Sequence, residues 1–511
     1  MKKLYKNSIQ RLMFFFITLA LQIYIILLVI LQFKEYFLYF YLVSLVLGVI
    51  LVFYILNGKS NPSYKIAWIV PILLLPVFGG IFYLIYGGNK LSKREKRKMK
   101  SQNVKMESSL KQDYNVLNNL EKENPHAKNQ AQYILNYANC PIYDNTYNEY
   151  LSPGEKKFER LISELKKAKY FIFLEYFIIE EGIMWNSILE ILEQKVKEGV
   201  DVRVIYDDVG CVMKLPYKYS DLLEKKGIKC RIFNPFIPIL TNRLNNRDHR
   251  KIAVIDGYVG FLGGINLADE YINSYEKFGH WKDASIMIKG EAVFNLTVMF
   301  LSMWDFINNS EDDYMKYKPS NFSNERYFCK GYVQPFDDSP LINEPIGETV
   351  YLNLINKAKN YVYINTPYLI IDNEMATALK IAAKSGVDVR IVTPHIPDKW
   401  FVHSVTKSYY HSFIKDGIKI YEYTPGFMHS KTFVVDDEYA VIGSINLDFR
   451  SLYLHFECGT WLYKTDSVFD LRDDFLNTLS LCQKITIEEC ENVKLPVKFC
   501  RKILRMFSPL L

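Results

Sequence analysis

The hydrophobic positions near the start of the chain form long runs with few polar interruptions. Residues 12–33 are apolar except for Thr18, Gln22 and Gln32, and residues 36–56 form a second run directly after a charged pair. Each run is long enough to cross a hydrocarbon layer about 30 Å thick. The first run is too long for the apolar core of a signal peptide, and another follows at once. We therefore predict two membrane-spanning helices that form a hairpin.

A third apolar run, residues 66–86, contains Pro71, Pro76 and Gly79, which break or kink helices. Basic residues precede the first run and flank the third: Lys2, Lys3, Lys6, Arg11, Lys59, Lys65, Lys90, Lys93, Arg94, Lys96, Arg97, Lys98 and Lys100. The positive-inside rule puts all these clusters in the cytoplasm, which requires the third run to re-enter the membrane or lie in its interface. A third spanning helix is the alternative. Residues 1–100 are thus predicted to be a multi-pass anchor in the cell membrane, with the rest of the chain cytoplasmic.

The pattern changes after residues 101–140, a polar stretch that lacks a sustained apolar stripe and is predicted to be a linker or a loosely packed helix. Short apolar runs typical of buried strands then alternate with helical patterns that end at glycine. This alternation predicts α/β sheets with helices on their faces.

The strand-like runs of this region occur twice. The matching pairs are AKYFIFLEYFII (168–179) with AKNYVYINTPYLI (358–370), GVDVRVIYD (199–207) with GVDVRIVTP (386–394), and GIKCRIFNP (227–235) with GIKIYEYTP (417–425). The offsets between the copies differ only by lengths typical of loops. The duplication predicts two related domains, residues 141–330 and 331–511, with one site between them.

One short pattern recurs after the third strand-like run of each half. The first copy, HRKIAVIDGYVGFLGGIN, begins at His249, and the second, HSKTFVVDDEYAVIGSIN, begins at His429. Each copy has a Lys two places after the His, an Asp five places after the Lys, and an Asn after small residues: Lys251, Asp256 and Asn266 in the first, and Lys431, Asp436, Ser444 and Asn446 in the second. The His and Lys of a copy share one face of a strand. An imidazole, an ammonium and an amide at one spot suit a phosphate group.

Composition adds constraints on the compartment and on cofactors. The 511 residues suffice for more than one domain, and the formal net charge is +7. Eight cysteines without regular spacing indicate buried thiols in a reducing compartment, not a disulfide framework or a zinc site. No His and carboxylate cluster with metal spacing is visible in the sequence, so neither a metal nor another cofactor is predicted.

The paired pattern resembles the HKD motif of the phospholipase D superfamily, over about residues 145–511. Bacterial cardiolipin synthases of the membrane-anchored type are a closer match, on the stretches HWKDASIMIKGEAVF (280–294), VQPFDDSPL (333–341), TPYLI (366–370) and GFMHSK (426–431). The chain departs from that family in LHFE (454–457), where L-N-x-E is usual, so His455 replaces an amide. We expect His455 to donate the same hydrogen bond; the alternative is an added titratable group near the pocket.

The resemblance implies two pseudo-twofold-related phospholipase D-like α/β/α domains behind an N-terminal transmembrane region. It also implies phosphatidyl transfer through a phosphohistidine. By that analogy His249 is the expected nucleophile and His429 the acid/base, although the near-symmetry of the motifs leaves the reverse order open. Lys251 and Lys431 would neutralise the phosphate oxygens.

Other polar residues of the motifs receive supporting roles. The groups expected to bind the same oxygens are those of Asn266, Asn446 and Ser444. On a regular strand the side chains of Asp256 and Asp436 would point to the face opposite the His and Lys. A catalytic and a structural role both remain open for these aspartates. Glu175, at the end of a buried strand, either orients a histidine or faces water.

The expected reaction joins two phosphatidylglycerol molecules into cardiolipin and glycerol, with membrane lipids as partners and no nucleic acid. Exchange of one phosphodiester for another is nearly neutral in energy, so no nucleotide is required. The alternatives are a hydrolytic phospholipase D or another phosphatidyltransferase, a nuclease, and a catalytically inactive lipid-binding protein. The intact His and Lys pairs argue against the last of these. The oligomeric state is not predicted.

The tail, residues 493–511, interleaves basic and apolar residues. After Pro496 it is predicted to form a short basic amphipathic helix. Such a helix either lies on an anionic bilayer or packs its apolar face on the catalytic core.

Overall fold

The computed structural model describes most of the chain. The described residues are 37–74, 79–80, 82–84, 87, 93–236, 245–323, 327, 329–342 and 344–510, with single positions 17, 20, 21, 24, 27, 28, 31 and 32. Most of the first predicted span and part of the third, including Pro76, lie outside the described residues.

Two helices near the N-terminus, α1 (Phe37–Leu56) and α2 (Pro62–Leu74), pack against each other through Ile55, Trp68 and Ile72. Pro71 lies inside α2, in the third apolar run. Within the part of the chain that the structure describes, no helix meets the length and apolar content needed to cross a membrane. The spanning helices therefore stay a prediction.

Residues 93–140 contain three packed helices: α3 (Lys93–Ser109), α4 (Tyr114–Glu123) and α5 (Pro125–Ala138). Asn124 ends α4 and caps α5, where its side chain accepts bonds from two backbone N–H groups. Leu120, Ala131 and Ile134 are fully buried in the main core. Of the two alternatives for residues 101–140, the structure therefore has helices and not a linker, and these helices cover part of the catalytic region.

The first half contains eight strands and five helices among its described residues. The strands are β1 (Thr146–Leu151), β2 (Phe171–Tyr176), β3 (Asp201–Asp207), β4 (Lys229–Phe233), β5 (Lys251–Ile255), β6 (Val259–Gly263), β7 (His280–Lys282) and β8 (Ser285–Gly290). The helices are α6 (Gly154–Lys167), α7 (Ile183–Lys197), α8 (Asp208–Cys211), α9 (Tyr219–Lys225) and α10 (Val293–Asn308). Short 3₁₀ turns cover Asp269–Ile272, Tyr314–Tyr317 and Pro319–Asn321.

The second half repeats this order and adds elements at its end. The strands are β9 (Tyr332–Asp338), β10 (Tyr361–Asn365), β11 (Leu369–Ile370), β12 (Asp388–Pro394), β13 (Lys419–Tyr423), β14 (Gly426–Met428), β15 (Thr432–Val435), β16 (Tyr439–Gly443), β17 (Leu447–Asp448), β18 (Glu457–Tyr463) and β19 (Cys482–Lys484). The helices are α11 (Ile346–Lys357), α12 (Asn373–Lys384), α13 (Trp400–Lys415), α14 (Phe449–Tyr453), α15 (Asp466–Leu479), α16 (Ile487–Glu491) and α17 (Leu495–Met506), followed by a 3₁₀ turn, Ser508–Leu510.

The two main sheets have matching strand orders. The first runs β1-β8-β6-β5-β2-β3-β4, and the second runs β19-β13-β12-β10-β15-β16-β18-β9. In each, three parallel strands (β2, β3, β4 or β10, β12, β13) adjoin an antiparallel meander. The parallel strands are the repeated sequence runs, and β5 and β15 carry the paired motifs. The described chain is thus a two-domain α/β protein with mixed sheets.

Alternation along the strands places the core on both faces of the first sheet. Phe171 and Phe173 of β2 face the larger core, which includes α10 and the second half, whereas Ile172 and Leu174 face a smaller core under α6 and α7. Side chains two positions apart on a strand share a face. Because all four residues of the run FIFL are apolar, both faces of β2 can be buried.

Two of the backbone links between the halves lie next to the motifs. Strand β7 of the first half pairs in parallel with β14 of the second, and Asp248 forms an isolated parallel bridge with Phe456. Each link ends one residue before a motif histidine: β14 at Met428 and the bridge at Asp248. The backbone therefore brings the two motifs to the boundary between the halves.

Candidate active site

The two motif histidines occupy equivalent places, just before β5 and β15. Only 8% of His249 and 7% of His429 is exposed to solvent. Each sits beside a backbone ladder to the other half: the His249 N–H donates to the Phe456 carbonyl (2.9 Å) and the His429 N–H to the Lys282 carbonyl (2.7 Å). Both rings are thus held at the boundary by main-chain bonds.

Each histidine is bonded to a carboxylate from the opposite half. Nδ1 of His249 lies 2.9 and 3.0 Å from the two oxygens of Glu457, the first residue of β18. Nδ1 of His429 lies 2.6 Å from Oδ2 of Asp283, between β7 and β8. A carboxylate at Nδ1 holds the proton there, which leaves the lone pair on Nε2 for chemistry.

The two lysines lie beside the histidines and are almost fully buried. Nζ of Lys251 donates to the His249 carbonyl, and Nζ of Lys431 donates to the His429 carbonyl. Burial lowers the pKa of Lys251 to about 7 and that of Lys431 to about 8. Two buried amino groups that carry positive charge beside the histidines can stabilise an anion such as a phosphodiester.

Both histidines are kept neutral near pH 7. Burial, followed by the charges of Lys251 and Lys431, holds the pKa of His249 well below its usual 6.5. Burial and Lys431 lower the pKa of His429 to about 4, although Asp283 acts in the opposite direction. A neutral imidazole is the form that can attack phosphorus.

The three residues predicted to bind phosphate oxygens differ in the hydrogen bonds that their side chains already form within the protein. Ser444 donates to Glu457 and accepts from the Cys458 N–H (3.0 Å), so it supports the carboxylate that holds His249. The side chain of Asn266 accepts from the Ile178 N–H (3.0 Å) and donates to the Tyr271 hydroxyl (2.7 Å). The oxygen of Asn446 is buried without a hydrogen-bond partner among the described residues. An amide oxygen accepts hydrogen bonds, so this atom can bind a hydroxyl of the substrate and not a phosphate oxygen.

Asp256 and Asp436 lie at the far ends of β5 and β15, on the order of 20 Å from the histidines. Each carboxylate accepts from three consecutive backbone N–H groups, at residues 169–171 and 359–361, over 2.6–2.9 Å. Both residues have positive φ, at 50° and 54°. The geometry favours the structural role that the sequence left open over the catalytic one.

Glu175 meets neither expectation for it, since it is fully buried and pairs with an arginine. Its Oε1 lies 2.7 Å from Nη2 of Arg250, the residue between His249 and Lys251. Nη1 of Arg250 lies 3.0 Å from Asp337 of the second half. Glu175 therefore acts on the motif through Arg250, which bridges the halves.

His455 lies beside the first motif. Nε of Arg450 donates to its Nε2 (3.3 Å), and its Nδ1 lies 3.7 Å from Oε1 of Glu457. Burial lowers its pKa to about 3. The ring is therefore neutral. Its Nε2 accepts a hydrogen bond, whereas its Nδ1 has no hydrogen-bond partner among the described residues, so donation like that of an amide stays a prediction.

Three of these side chains also form a group that could hold a metal ion. His249, His455 and Glu457 each offer one ligand atom within 4.8 Å of the others, a proximity that the sequence did not show. A dication there would have to displace the bond from His249 to Glu457 and would meet the nearby positive charge of Lys251. The arrangement therefore suits orientation of His249 by Glu457 better than metal binding.

Asp283 and Glu457 are the functional residues that sequence reasoning missed. Both lie in stretches that resemble the cardiolipin synthases, HWKD and LHFE. The sequence did contain a sign of these residues, because each short stretch ends in an acidic residue. Their pairing with histidines 146 and 208 positions away becomes visible only in the fold.

Comparison with known proteins assigns the family. The family described as "Cardiolipin synthase, PLD-like domain" matches residues 161–304 and 351–479, one segment in each half. The family described as "Phospholipase_D-nuclease N-terminal" matches residues 46–88, which include the second half of α1 and all of α2.

Individual proteins extend this match over nearly the whole chain. An uncharacterized protein of Streptococcus mutans is 45% identical over 461 residues, covering 90% of this chain and 99% of its own. A cardiolipin synthase of Halalkalibacterium halodurans is 37% identical over 459 residues, covering 89% and 90%. A crystal structure of phosphatidylserine synthase from Haemophilus influenzae has a TM-score of 0.57 at 16% identity and covers 75% of this chain and 100% of its own, which shows a shared fold. On these matches the chain belongs to the cardiolipin synthase family of the phospholipase D superfamily.

Proposed function

We propose that this protein catalyses phosphatidyl transfer between two phosphatidylglycerol molecules, which gives cardiolipin and glycerol. The observation that carries the proposal is the pair of buried histidines, each held at Nδ1 by a carboxylate of the other half, next to two buried lysines. Such a site can bind one phosphodiester and act on it from two sides. The family of the chain supports lipid phosphodiesters as the substrate class.

In the first step, Nε2 of neutral His249 attacks the phosphorus of one phosphatidylglycerol. The bond from phosphorus to the glycerol oxygen breaks, and a phosphatidyl-histidine forms. His429 gives its Nε2 proton to the departing glycerol. The negative charge of the bound phosphodiester raises the pKa of His429 in the complex, and Asp283 acts in the same direction. Lys251 and Lys431 stabilise the charge on the non-bridging oxygens.

In the second step, the free hydroxyl of another phosphatidylglycerol replaces glycerol. His429, now neutral, removes its proton while the oxygen attacks phosphorus and the bond to His249 breaks. Cardiolipin forms, and both histidines return to their starting state. Asn446 is suited to donate its amide hydrogens to the phosphoryl oxygens in both steps.

The test uses purified full-length protein in phosphatidylglycerol vesicles, without nucleotide. Cardiolipin and free glycerol are expected in equal amounts. Phosphatidic acid as the main product would instead indicate a hydrolase, in which water takes the acceptor's place.

Variants at the two histidines test the shared site. His249→Ala and His429→Ala are each expected to lower turnover by at least about 10³-fold, because nucleophile and acid/base are both required. His126→Ala, at an exposed histidine of α5, is the matched control and should keep full activity. An active His429→Ala variant would contradict the mechanism.

We also propose that the N-terminal region holds the protein in the cell membrane with both catalytic halves in the cytoplasm. Helix α1 supports this, because apolar side chains such as Val43, Leu47 and Phe53 are 57–62% exposed. Soluble surfaces rarely carry such a continuous apolar stretch. Reporter fusions after residues 56 and 100 should both read cytoplasmic. A periplasmic or extracellular signal at residue 100 would contradict this topology.

A further inference from the structure

The C-terminal helix α17 exposes apolar side chains among positive charges. The exposed fraction of the residue is 80% for Leu495, 67% for Phe499 and 41% for Ile503. These three residues are four positions apart and therefore share one face of the helix. Residues 494–506 also carry five basic side chains and no acidic one: Lys494, Lys498, Arg501, Lys502 and Arg505.

The opposite face of α17 is attached to the second half. The guanidinium of Arg505 lies 3.9 Å from the centre of the Tyr409 ring, and its Nη1 donates to the Ser408 carbonyl (3.3 Å) of α13. Leu504 packs at the edge of the main core. Part of the apolar surface of α17 therefore packs on the core through Leu504, whereas Leu495 and Phe499 are left exposed.

The position of α17 connects it to the N-terminal helices. The turn Ser508–Leu510 follows α17 and packs against α2, where Leu510 contacts the cluster formed by Ile55, Trp68 and Ile72. Helix α17 thus ends beside the apolar pair α1 and α2.

We propose that α17 is a membrane-docking helix that lies in the headgroup region of an anionic bilayer. Its exposed apolar side chains would enter the acyl boundary, and its lysines and arginines would contact lipid phosphates. The all-positive charge of α17 complements an anionic lipid surface, and its attachment next to α2 puts it where the proposed anchor meets the membrane. The proposal rests on the membrane location proposed above and is independent of the reaction.

Cys500 provides a probe inside α17. It is the exposed cysteine among the eight, all of which lie in the described part of the chain. The full-length protein, labelled there with an environment-sensitive fluorophore, is mixed with vesicles of phosphatidylcholine alone or with phosphatidylglycerol. Phosphatidylglycerol should shift the emission to the blue, and lipids with a quencher in the upper acyl chain should quench it. Cys500→Ser, labelled in parallel, measures the background from other thiols.

A variant and its control test the apolar face. Leu495→Gln, Phe499→Gln and Ile503→Gln combined should reduce the lipid-dependent quenching at least about tenfold. Ile381→Gln, at an isoleucine of α12 that is 59% exposed, should leave it unchanged.

Two outcomes would overturn the proposal. One is a label that stays equally accessible to a water-soluble quencher when the protein floats with phosphatidylglycerol vesicles. The other is a signal that depends on protein concentration and not on lipid, which would indicate a second copy or another protein on this face. Failure of the protein to float at all would instead refute the proposed membrane anchor.

Discussion

The bond between His429 and Asp283 is the best place to examine the site residue by residue. Asp283 accepts from Nδ1 of the ring at 2.6 Å, and it belongs to the other half of the chain. Its role is to position the ring and to favour the imidazolium, since it does not itself contact the reacting phosphorus. The bond from Glu457 to His249 is the counterpart.

Asp283→Asn should therefore lower kcat by about 10²- to 10⁴-fold, because an amide can donate to Nδ1 and stabilise the wrong tautomer. KM for phosphatidylglycerol should change little. Steady-state rates on vesicles measure both, and Asp221→Asn, at an exposed aspartate of α9, is the matched control. A variant with wild-type kcat would show that Asp283 does not position His429.

The buried lysines predict the alkaline side of the pH profile. Their lowered pKa values, about 7 for Lys251 and about 8 for Lys431, mean that positive charge is lost as the pH rises through this range. Binding of the anionic phosphodiester should weaken accordingly, so kcat/KM should fall between about pH 7 and pH 9. On the acid side, kcat/KM should hold until the pH is well below 6.5, because burial and the neighbouring lysines lower the pKa of His249 and keep this ring neutral.

The profile of kcat/KM against pH on vesicles of constant composition measures both limbs. Arginine keeps its charge at high pH, so Lys251→Arg should shift the alkaline limb of the profile to higher pH. An unchanged limb in this variant would assign the titration to another group.

At the scale of elements, the matching turns before β2 and β10 show how the motif aspartates act. Asp436 fixes the chain at residues 359–361 through three backbone N–H bonds, and Asp256 does the same at residues 169–171. Each links the strand that carries a motif to the central parallel strand beside it. At this spacing from the lysines, the two aspartates therefore stabilise the sheet.

Asp436→Ala should lower the free energy of unfolding by about 2 kcal/mol through loss of these bonds. Activity per folded molecule should stay within about twofold of wild type if the role is structural. Thermal unfolding followed by circular dichroism, combined with rates below the transition, separates the two effects. Loss of activity in a fully folded variant would restore the catalytic role.

The contrast between α5 and the strands explains which elements the sequence revealed. Strands such as β2 and β15 consist of apolar residues bounded by polar ones, and this pattern is local. Helix α5 buries Ala127, Gln130, Ala131 and Ile134. Small and polar residues give no clear apolar stripe, so residues 101–140 resemble a linker until the neighbouring half is present to cover them.

For the whole molecule, the decisive feature is that each half completes the other's site within one chain. Besides the two bonds between histidines and carboxylates, Arg250 of the first half pairs with Asp337 of the second. The large core is continuous across both halves. Neither half holds a motif histidine together with the carboxylate bonded to it.

Mixing His249→Ala with His429→Ala should therefore restore no activity, because both histidines must come from the same chain. Rates of the equimolar mixture, taken after co-expression, measure this. Recovery to about a quarter of wild type, the statistical share for exchanged halves, would show that halves are swapped between chains.

The sequence alone determined the duplicated α/β halves, the motif histidines and lysines, and the family resemblance, because strand patterns and motif spacings are properties of short segments. Only the tertiary structure decided which carboxylates hold the histidines, that the motif aspartates anchor backbone turns, and that residues 101–140 are packed helices. These depend on contacts between residues far apart in the chain, and only folding brings such residues together. Alternation along a strand predicts which face a side chain takes, but it does not identify the partner across the boundary.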